Sequence, residues 1–191
     1  MTLLQIMPVD APHDVELRTT DHQTIVVALR EHSVELRQWT LRADVTGCDN
    51  DEALARYDDE VRALMDAEGL RVVDAVQLHP EPTAAWQEKA AAARNMFLEE
   101  HRHAEDEVRF LAAGTGCFYL HLGDKVYALV CAAGDLLSVP AGTLHWFDMG
   151  ARPDFTAIRF FREADGWVGD FAEESIAAAF PKLDDLLAVY G

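Results

Sequence analysis

Basic residues are scarce in this sequence, which has 16 Lys and Arg against 34 Asp and Glu and a formal net charge of −18. A surface this acidic repels the phosphate groups of nucleic acids and of anionic membranes, so we expect neither as a partner. The charge leaves room for a small anionic ligand if its pocket supplies cations. Long apolar runs are also absent, since no stretch approaches the roughly 20 apolar residues of a membrane span. The first residues lack the basic region of a signal peptide, so we expect none.

Cysteine is equally sparse. Cys48, Cys117 and Cys131 are scattered along the chain and form no Cys-x-x-Cys pair. An odd, scattered set of cysteines is typical of reduced intracellular proteins, in which they serve as small core hydrophobes. The chain has 191 residues, of which 50% are hydrophobic. This is enough to bury a core without disulfides and suits a single domain.

Strand patterns are present in both halves of the chain. A β-branched run covers residues 24–29, and strands are predicted over residues 34–41 and 72–78. From residue 101 onward, glycines separate short apolar runs, and Gly123-Asp124 has the composition of a two-residue hairpin turn. Short strands at even spacing predict a β-barrel or a β-sandwich in the second half.

Helical patterns flank these strands. Asp49 and Glu52 form a capping-box sequence before an apolar pattern of helical spacing, which Gly69 ends. Residues 84–99 are rich in Ala and place their apolar side chains on one face, so we predict a helix there. A C-terminal helix is predicted over residues 170–179.

The first candidates for chemistry lie in Glu-His-Arg-His-Ala-Glu-Asp-Glu, which begins at Glu100. In a helix, His101 and His103 would lie on opposite faces, whereas in a strand they point to the same side. Glu107 has the same parity, but six residues of strand span roughly 20 Å, too far for one ion. A single metal site therefore requires a strand at the two histidines and a turn or bulge near residues 104–105.

A second candidate follows a short apolar strand. Gly134 before this strand and the Pro140/Gly142 pair after it turn the chain and place His145 at the start of the next strand. Three imidazoles and a carboxylate suit iron(II), nickel, manganese or zinc, and do not suit calcium or copper(I). For the first stretch alone, structural histidines and a solvated acidic run would be sufficient explanations.

Taken together, the two stretches have a specific spacing. His-x-His-x3-Glu-x6-Gly followed by Gly-x5-Pro-x-Gly-x2-His is the pair of motifs that defines the cupin barrel. Asn95 and Met149 depart from the general pattern, which has Gly and often Asn there, but neither is a predicted ligand. We predict an α+β, mainly β fold with one cupin domain over residues 1–191. Its barrel core, a double-stranded β-helix or jelly-roll, is predicted at about residues 95–165, with the N-terminal elements and the C-terminal helix packed outside.

Within the cupins, the sequence resembles the acireductone dioxygenase family. The resemblance rests on four segments, which are residues 97–109, residues 139–147, Ile158-Arg159 and Gly166-Trp167. It implies a cytoplasmic, monomeric enzyme of methionine salvage that cleaves 1,2-dihydroxy-3-keto-5-methylthiopentene with dioxygen, using one iron(II) or nickel(II) ion. The iron form would yield 4-methylthio-2-oxobutanoate and formate, and the nickel form methylthiopropionate, formate and carbon monoxide. A metal-dependent sugar isomerase and a non-enzymatic binding cupin are the alternatives.

The same resemblance implies four metal ligands, and six further side chains are candidates from their positions in the sequence. The metal would be held by His101, His103, Glu107 and His145. The candidates for catalysis are Arg109 and Arg159, which strand alternation turns inward, and Glu100, which adjoins His101. The aromatic candidates for the wall of the substrate pocket are Phe97, Phe147 and Trp167. Each has a plainer alternative: an ion pair of Arg159 with Asp106 or Glu100, a surface carboxylate for Glu100, and ordinary core packing for the aromatic rings.

Overall fold

Short antiparallel strands make up most of the fold. The computed structural model describes residues 1–42 and 45–189, and within these ranges it contains eleven strands and five α-helices. The strands are β1 (Leu3–Pro8), β2 (Leu17–Thr19), β3 (Glu35–Gln38), β4 (Val72–Leu78), β5 (His101–Arg102), β6 (Glu107–Leu122), β7 (Lys125–Ala132), β8 (Asp135–Val139), β9 (Leu144–Asp148), β10 (Phe155–Phe161) and β11 (Asp170–Phe171). The helices are α1 (His22–Arg30), α2 (Asn50–Ala55), α3 (Asp58–Glu68), α4 (Ala84–Phe97) and α5 (Leu183–Ala188), with a 3-10 turn over Ala177–Ala179.

The long strand β6 organises both parts of the sheet. Its first half pairs with β8 and β10, and its second half pairs with β7 and β9. The sheet continues as β11-β5-β9-β6-β7-β1-β2 on one side, and β4 and β3 extend it beyond β10 and β8 on the other. These pairings confirm the predicted α+β, mainly β class. Strands from the N-terminal half thus extend the sheets that residues 95–165 form.

Side-chain alternation along β6 separates the cavity from the outer core. Val108 and Phe110 face α3, where they pack with Val61 and Ile158. The intervening residues of β6 point to the opposite side, which is the side of the cavity described below. Helices α1 and α4 pack on the side of the sheet that faces the cavity, and α5 packs against β1, β6, β7 and β9 on the opposite side. The strand pattern therefore determines which side chains face the cavity.

Most of the predicted elements are confirmed, with changed boundaries. Strand β3 lies inside the predicted residues 34–41, β4 matches its prediction, and the Gly123-Asp124 turn connects β6 to β7. The β-branched run at residues 24–29 lies within helix α1. The capping box of Asp49 forms, and Gly69 ends α3 in the left-handed conformation at φ 68°.

The helix predicted over residues 170–179 is wrong. Asp170 and Phe171 form β11 and pair with Arg102 and His101 of β5, so a tertiary strand pairing overrides the local helical pattern. Only a 3-10 turn forms in the remainder of that segment.

The longest described helix, α4, has 14 residues, short of the roughly 20 that cross a bilayer.

Candidate metal centre

Three buried histidines meet where β5 and β9 pair. His101 and His145 are direct partners in that pair, and His103 follows His101 by two residues. Their ligand nitrogens all lie within 4.8 Å of one another. The chain bends at residues 104–105, between β5 and β6, as a single-metal site requires. The predicted bend is therefore present, and the predicted strand covers His101 but ends one residue before His103.

Backbone carbonyls orient all three imidazoles. Nδ1 of His101 lies 2.8 Å from the Glu99 carbonyl oxygen, and Nδ1 of His145 lies 2.8 Å from that of Thr143. Nδ1 of His103 donates to the Val168 carbonyl at 3.0 Å. Because a carbonyl oxygen only accepts, each Nδ1 carries the proton and Nε2 keeps its lone pair free for a metal ion. These orienting groups have no signature in the sequence.

Glu107 completes the donor set from the first residue of β6. Its Oε2 lies 2.7 Å from His145 Nε2, but this contact lacks hydrogen-bond alignment. Both atoms are buried and have no hydrogen-bond partner among the described residues. Its Oε1 lies 3.0 Å from Arg109 Nη2. Glu107 is not one of the three residues whose ligand atoms lie within 4.8 Å of one another. Two buried ligand atoms that lie side by side without hydrogen-bond partners nonetheless suit the binding of a metal ion between them and the other histidines.

The charges in this cluster favour the binding of a cation. Burial lowers the pKa of His101 and of His103, which keeps both imidazoles neutral. Burial would raise the pKa of Glu107, but Arg109 and His145 outweigh it and lower that pKa well below its usual range. Burial opposes protonation of His145, but the Glu107 carboxylate raises its pKa. His101 and His103 are therefore neutral and Glu107 is ionised, the protonation states in which these groups bind metals. His145 binds a metal ion as the neutral imidazole, so any proton on its Nε2 is released when the ion binds.

The histidines and Glu107 lie at the wall of a cavity of about 440 Å³. Its walls come mainly from β4, α4, β6, β9 and β10, and they are largely apolar. The three aromatic residues predicted for the pocket all line it, namely Phe97, Phe147 and Trp167. Phe171 also lines it and contacts the His101 ring, with 5.5 Å between ring centroids. It was missed because its segment was predicted to be helical.

Arg109 and Arg159 both line the cavity from neighbouring strands. They are direct partners between β6 and β10, and both guanidinium groups lie over the Phe161 ring, at 4.7 and 5.5 Å from its centroid. Arg159 pairs with Asp74 of β4 through two contacts of 2.7 and 2.5 Å. The suggested partners of Arg159, Asp106 and Glu100, are therefore wrong. Each arginine has a carboxylate of its own, so the like charges can lie side by side.

Glu100 does not line the cavity. It is 1% exposed, so its description as a surface carboxylate is wrong. Its Oε1 lies 2.6 Å from His121 Nδ1, and its Oε2 accepts from the Ile176 backbone N–H at 3.2 Å. Because neighbouring residues of a strand point to opposite faces, the inward direction of His101 turns Glu100 away from the metal ligands. Glu100 links β5 to the C-terminal segment.

The antiparallel fold and the three-histidine, one-glutamate cluster in its cavity define a metal-binding cupin. The model of the ARD/ARD′ family matches residues 6–169. The chain is 55% identical over 188 residues to acireductone dioxygenase 2 of Nocardia farcinica, with 98% of each chain covered. It is 48% identical to acireductone dioxygenase of Saccharopolyspora erythraea, over 98% of this chain and 99% of that one.

A solved structure also supports membership of the acireductone dioxygenase family. Acireductone dioxygenase from Bacillus anthracis, determined with a cadmium ion in its active centre, matches with a TM-score of 0.75 and 25% identity over 90% of this chain and 98% of that one. The chain therefore belongs to the ARD/ARD′ family. By class it is a metal-dependent dioxygenase.

Proposed function

We propose that this protein cleaves the acireductone 1,2-dihydroxy-3-keto-5-methylthiopentene with dioxygen, as a step of methionine salvage. The observation behind the proposal is the position of the histidine cluster at the wall of a largely apolar cavity that also contains two arginines. The ligand cluster suits the oxygen atoms of an enediol, and the apolar walls suit a methylthio tail. The names of the relatives support this choice of substrate.

The metal in this proposal is one iron(II) or nickel(II) ion per chain, held by His101, His103, His145 and Glu107. Imidazole nitrogens and a carboxylate suit both ions. When bound, such an ion acts as a Lewis acid and a template that holds the substrate oxygens in place for reaction with dioxygen. The iron form is expected to give 4-methylthio-2-oxobutanoate and formate, and the nickel form methylthiopropionate, formate and carbon monoxide.

The remaining side chains would bind and orient the substrate. Arg109 keeps Glu107 ionised and fixes one of its oxygens. Arg159 adds a second positive charge at the cavity wall, which favours an anionic form of the substrate in a protein that is acidic elsewhere. Phe97, Phe147 and Trp167 would cover the tail and exclude water. We assign Glu100 no contact with substrate, because its carboxylate faces His121.

The test is reconstitution of the metal-free protein. The protein is stripped of metal, reloaded separately with iron(II) or nickel(II), and checked for metal content. Anaerobic addition of the acireductone is expected to shift the enediolate absorbance, and admitting oxygen is expected to bleach it. Headspace carbon monoxide and the organic acids are then measured. Identical products from both forms would refute the dual outcome, and a stable absorbance shift without oxygen uptake would favour a binding cupin.

The cellular setting is part of the same proposal. We propose a cytoplasmic monomer whose partners are the acireductone and dioxygen, with neither nucleic acid nor a membrane as ligand. The net charge of −18 supports the last point, because anionic polymers and surfaces are repelled. Light scattering on the metal-loaded protein would test the oligomeric state, and a dimer mass at low micromolar concentration would contradict it.

A further inference from the structure

Two turns bring the metal ligands together, and Asp106 belongs to the first turn and contacts the second. The first turn connects β5 to β6 and carries His103 at its start and Glu107 at its end. The second, which precedes β9, ends close to His145. Asp106 Oδ1 accepts a hydrogen bond from the Ala141 backbone N–H at 2.9 Å. The carboxylate therefore links the turn of the first motif to the turn of the second.

Backbone contacts also join these two turns, because the ladder between β6 and β8 runs up to both of them. The Gly142 N–H donates to the His103 carbonyl oxygen at 2.9 Å. Strands β5 and β9 pair only at His101 and His145 among the described residues, and β9 is otherwise held by the far half of β6. Because β5 and β9 share so short a ladder, a side-chain link between the turns adds to the backbone contacts that set ligand geometry.

Arg162 supplies the opposing charge for this link. Its Nη2 lies 3.2 Å from Asp106 Oδ2, and its Nη1 donates to the Glu68 carbonyl oxygen at 2.6 Å, at the end of α3. Its backbone N–H donates to Glu105 Oε2 at 2.7 Å. The acidic pair Glu105-Asp106, which the sequence alone would place on a solvated face, is therefore anchored to the end of β10.

We infer that Asp106, backed by Arg162, is a positioning residue for the metal centre. Its carboxylate holds the turn between His103 and Glu107 against the turn before His145, so the four ligands converge before metal binds. The inference rests on the proposed metal-dependent function and adds the Asp106 side chain, which touches neither metal nor substrate, to that site. Because the Asp106 and Arg162 side chains are 38% and 43% exposed, the pair contributes little to the stability of the fold.

The experiment compares Asp106→Asn and Arg162→Met with the unmodified protein. The Asn side chain keeps the shape but removes the charge and one acceptor oxygen. Glu163→Gln is the matched control, because Glu163 is exposed, adjoins Arg162 and makes no side-chain hydrogen bond or ion pair with any residue that the structure describes. Two quantities are measured for each protein: the Kd for nickel(II) by calorimetry and the melting temperature of the metal-free form.

Asp106→Asn is expected to raise the nickel Kd by about tenfold or more, while the metal-free melting temperature changes by less than about 4 °C. Arg162→Met should raise the Kd in the same direction, and Glu163→Gln should leave it unchanged. A Kd within about twofold of the unmodified protein in both variants, or an equal change in the control, would overturn the inference. So would a metal-free variant that no longer folds, since the role would then be structural. If the unmodified protein binds no nickel, the proposed function itself fails.

Discussion

The buried carboxylate of Asp148 provides a quantitative test of how the cavity wall is held. Asp148 is fully buried at the end of β9 and accepts hydrogen bonds from Nε and Nη2 of Arg94 at 2.7 and 3.0 Å. It also accepts hydrogen bonds from the backbone N–H groups of Gly150 and Leu183, each at 2.9 Å. Since Arg94 belongs to α4, which contributes Phe97 to the cavity, this ion pair joins a cavity-lining helix to the metal-binding strand.

The perturbation is Asp148→Asn, which keeps the shape but removes the charge and turns one acceptor into a donor. Breaking a buried ion pair by changing one partner costs about 3–5 kcal/mol. We expect the lower end, about 3 kcal/mol, because Arg94 is 20% exposed and can take up water. In a chain of this size that corresponds to a fall of about 6–12 °C in melting temperature.

The effect should depend on pH with a definite sign. Burial would raise the pKa of Asp148, but the hydrogen bonds from Arg94, Leu183 and Gly150 outweigh it and lower the pKa below the usual 3.8. A depressed pKa gives stability that is complete above the unfolded value and is lost as pH falls through the folded value. The stability difference between the two proteins should thus be constant near neutral pH and shrink below about pH 4.

Denaturant unfolding of the metal-free proteins, followed by circular dichroism, measures both effects. Asp184→Asn is the matched control, because Asp184 contacts the same arginine at 3.2 Å but its side chain is 53% exposed. Its loss should cost 1 kcal/mol or less, about the value of a surface pair. Equal losses in the two variants would refute the reasoning that burial determines the cost, and a difference that grows on acidification would refute the sign.

Two further predictions concern the site itself. His145→Ala and Glu107→Ala should each lower metal content and abolish oxygen uptake, because each removes a metal-ligand atom. Elemental analysis measures the metal content and an oxygen electrode measures the uptake. Full metal occupancy with normal turnover in His145→Ala would exclude His145 as a ligand. Arg159→Ala and Asp74→Asn should impair turnover while metal content stays near normal, because Arg159 lines the cavity and Asp74 holds it through two contacts. Unchanged steady-state kinetics in both variants would show that this pair does not act on the substrate.

Spacing and alternation along the sequence singled out the candidate ligands, and the family resemblance assigned them to one metal site. His101 and His103 share a face only in a strand, and one ion can reach both histidines and Glu107 only if the chain bends between them. The bend is present at residues 104–105. The inward direction of Arg109 follows from the same alternation, because it lies two residues beyond Glu107. These are local rules, so the sequence by itself determined them.

Only the tertiary structure decided which side chains pair across the fold. Asp74 meets Arg159 because β4 and β10 are adjacent and place the two residues in register, although 85 positions separate them. The segment at Phe171 becomes a strand because it pairs with His101, against its own helical pattern. Pairing between strands depends on the register of distant backbones, which a single sequence does not encode in any local pattern.

The same limit applies to the groups that orient the ligands. The carbonyls of Glu99, Thr143 and Val168 set the proton positions on the three histidines, and every residue type has a carbonyl, so no residue type marks them. Glu100 adjoins His101 in sequence but lies on the other face of its strand, where it meets His121. The sequence determined which residue types could bind a metal ion, and the three-dimensional packing of strands determined what surrounds and orients each of them.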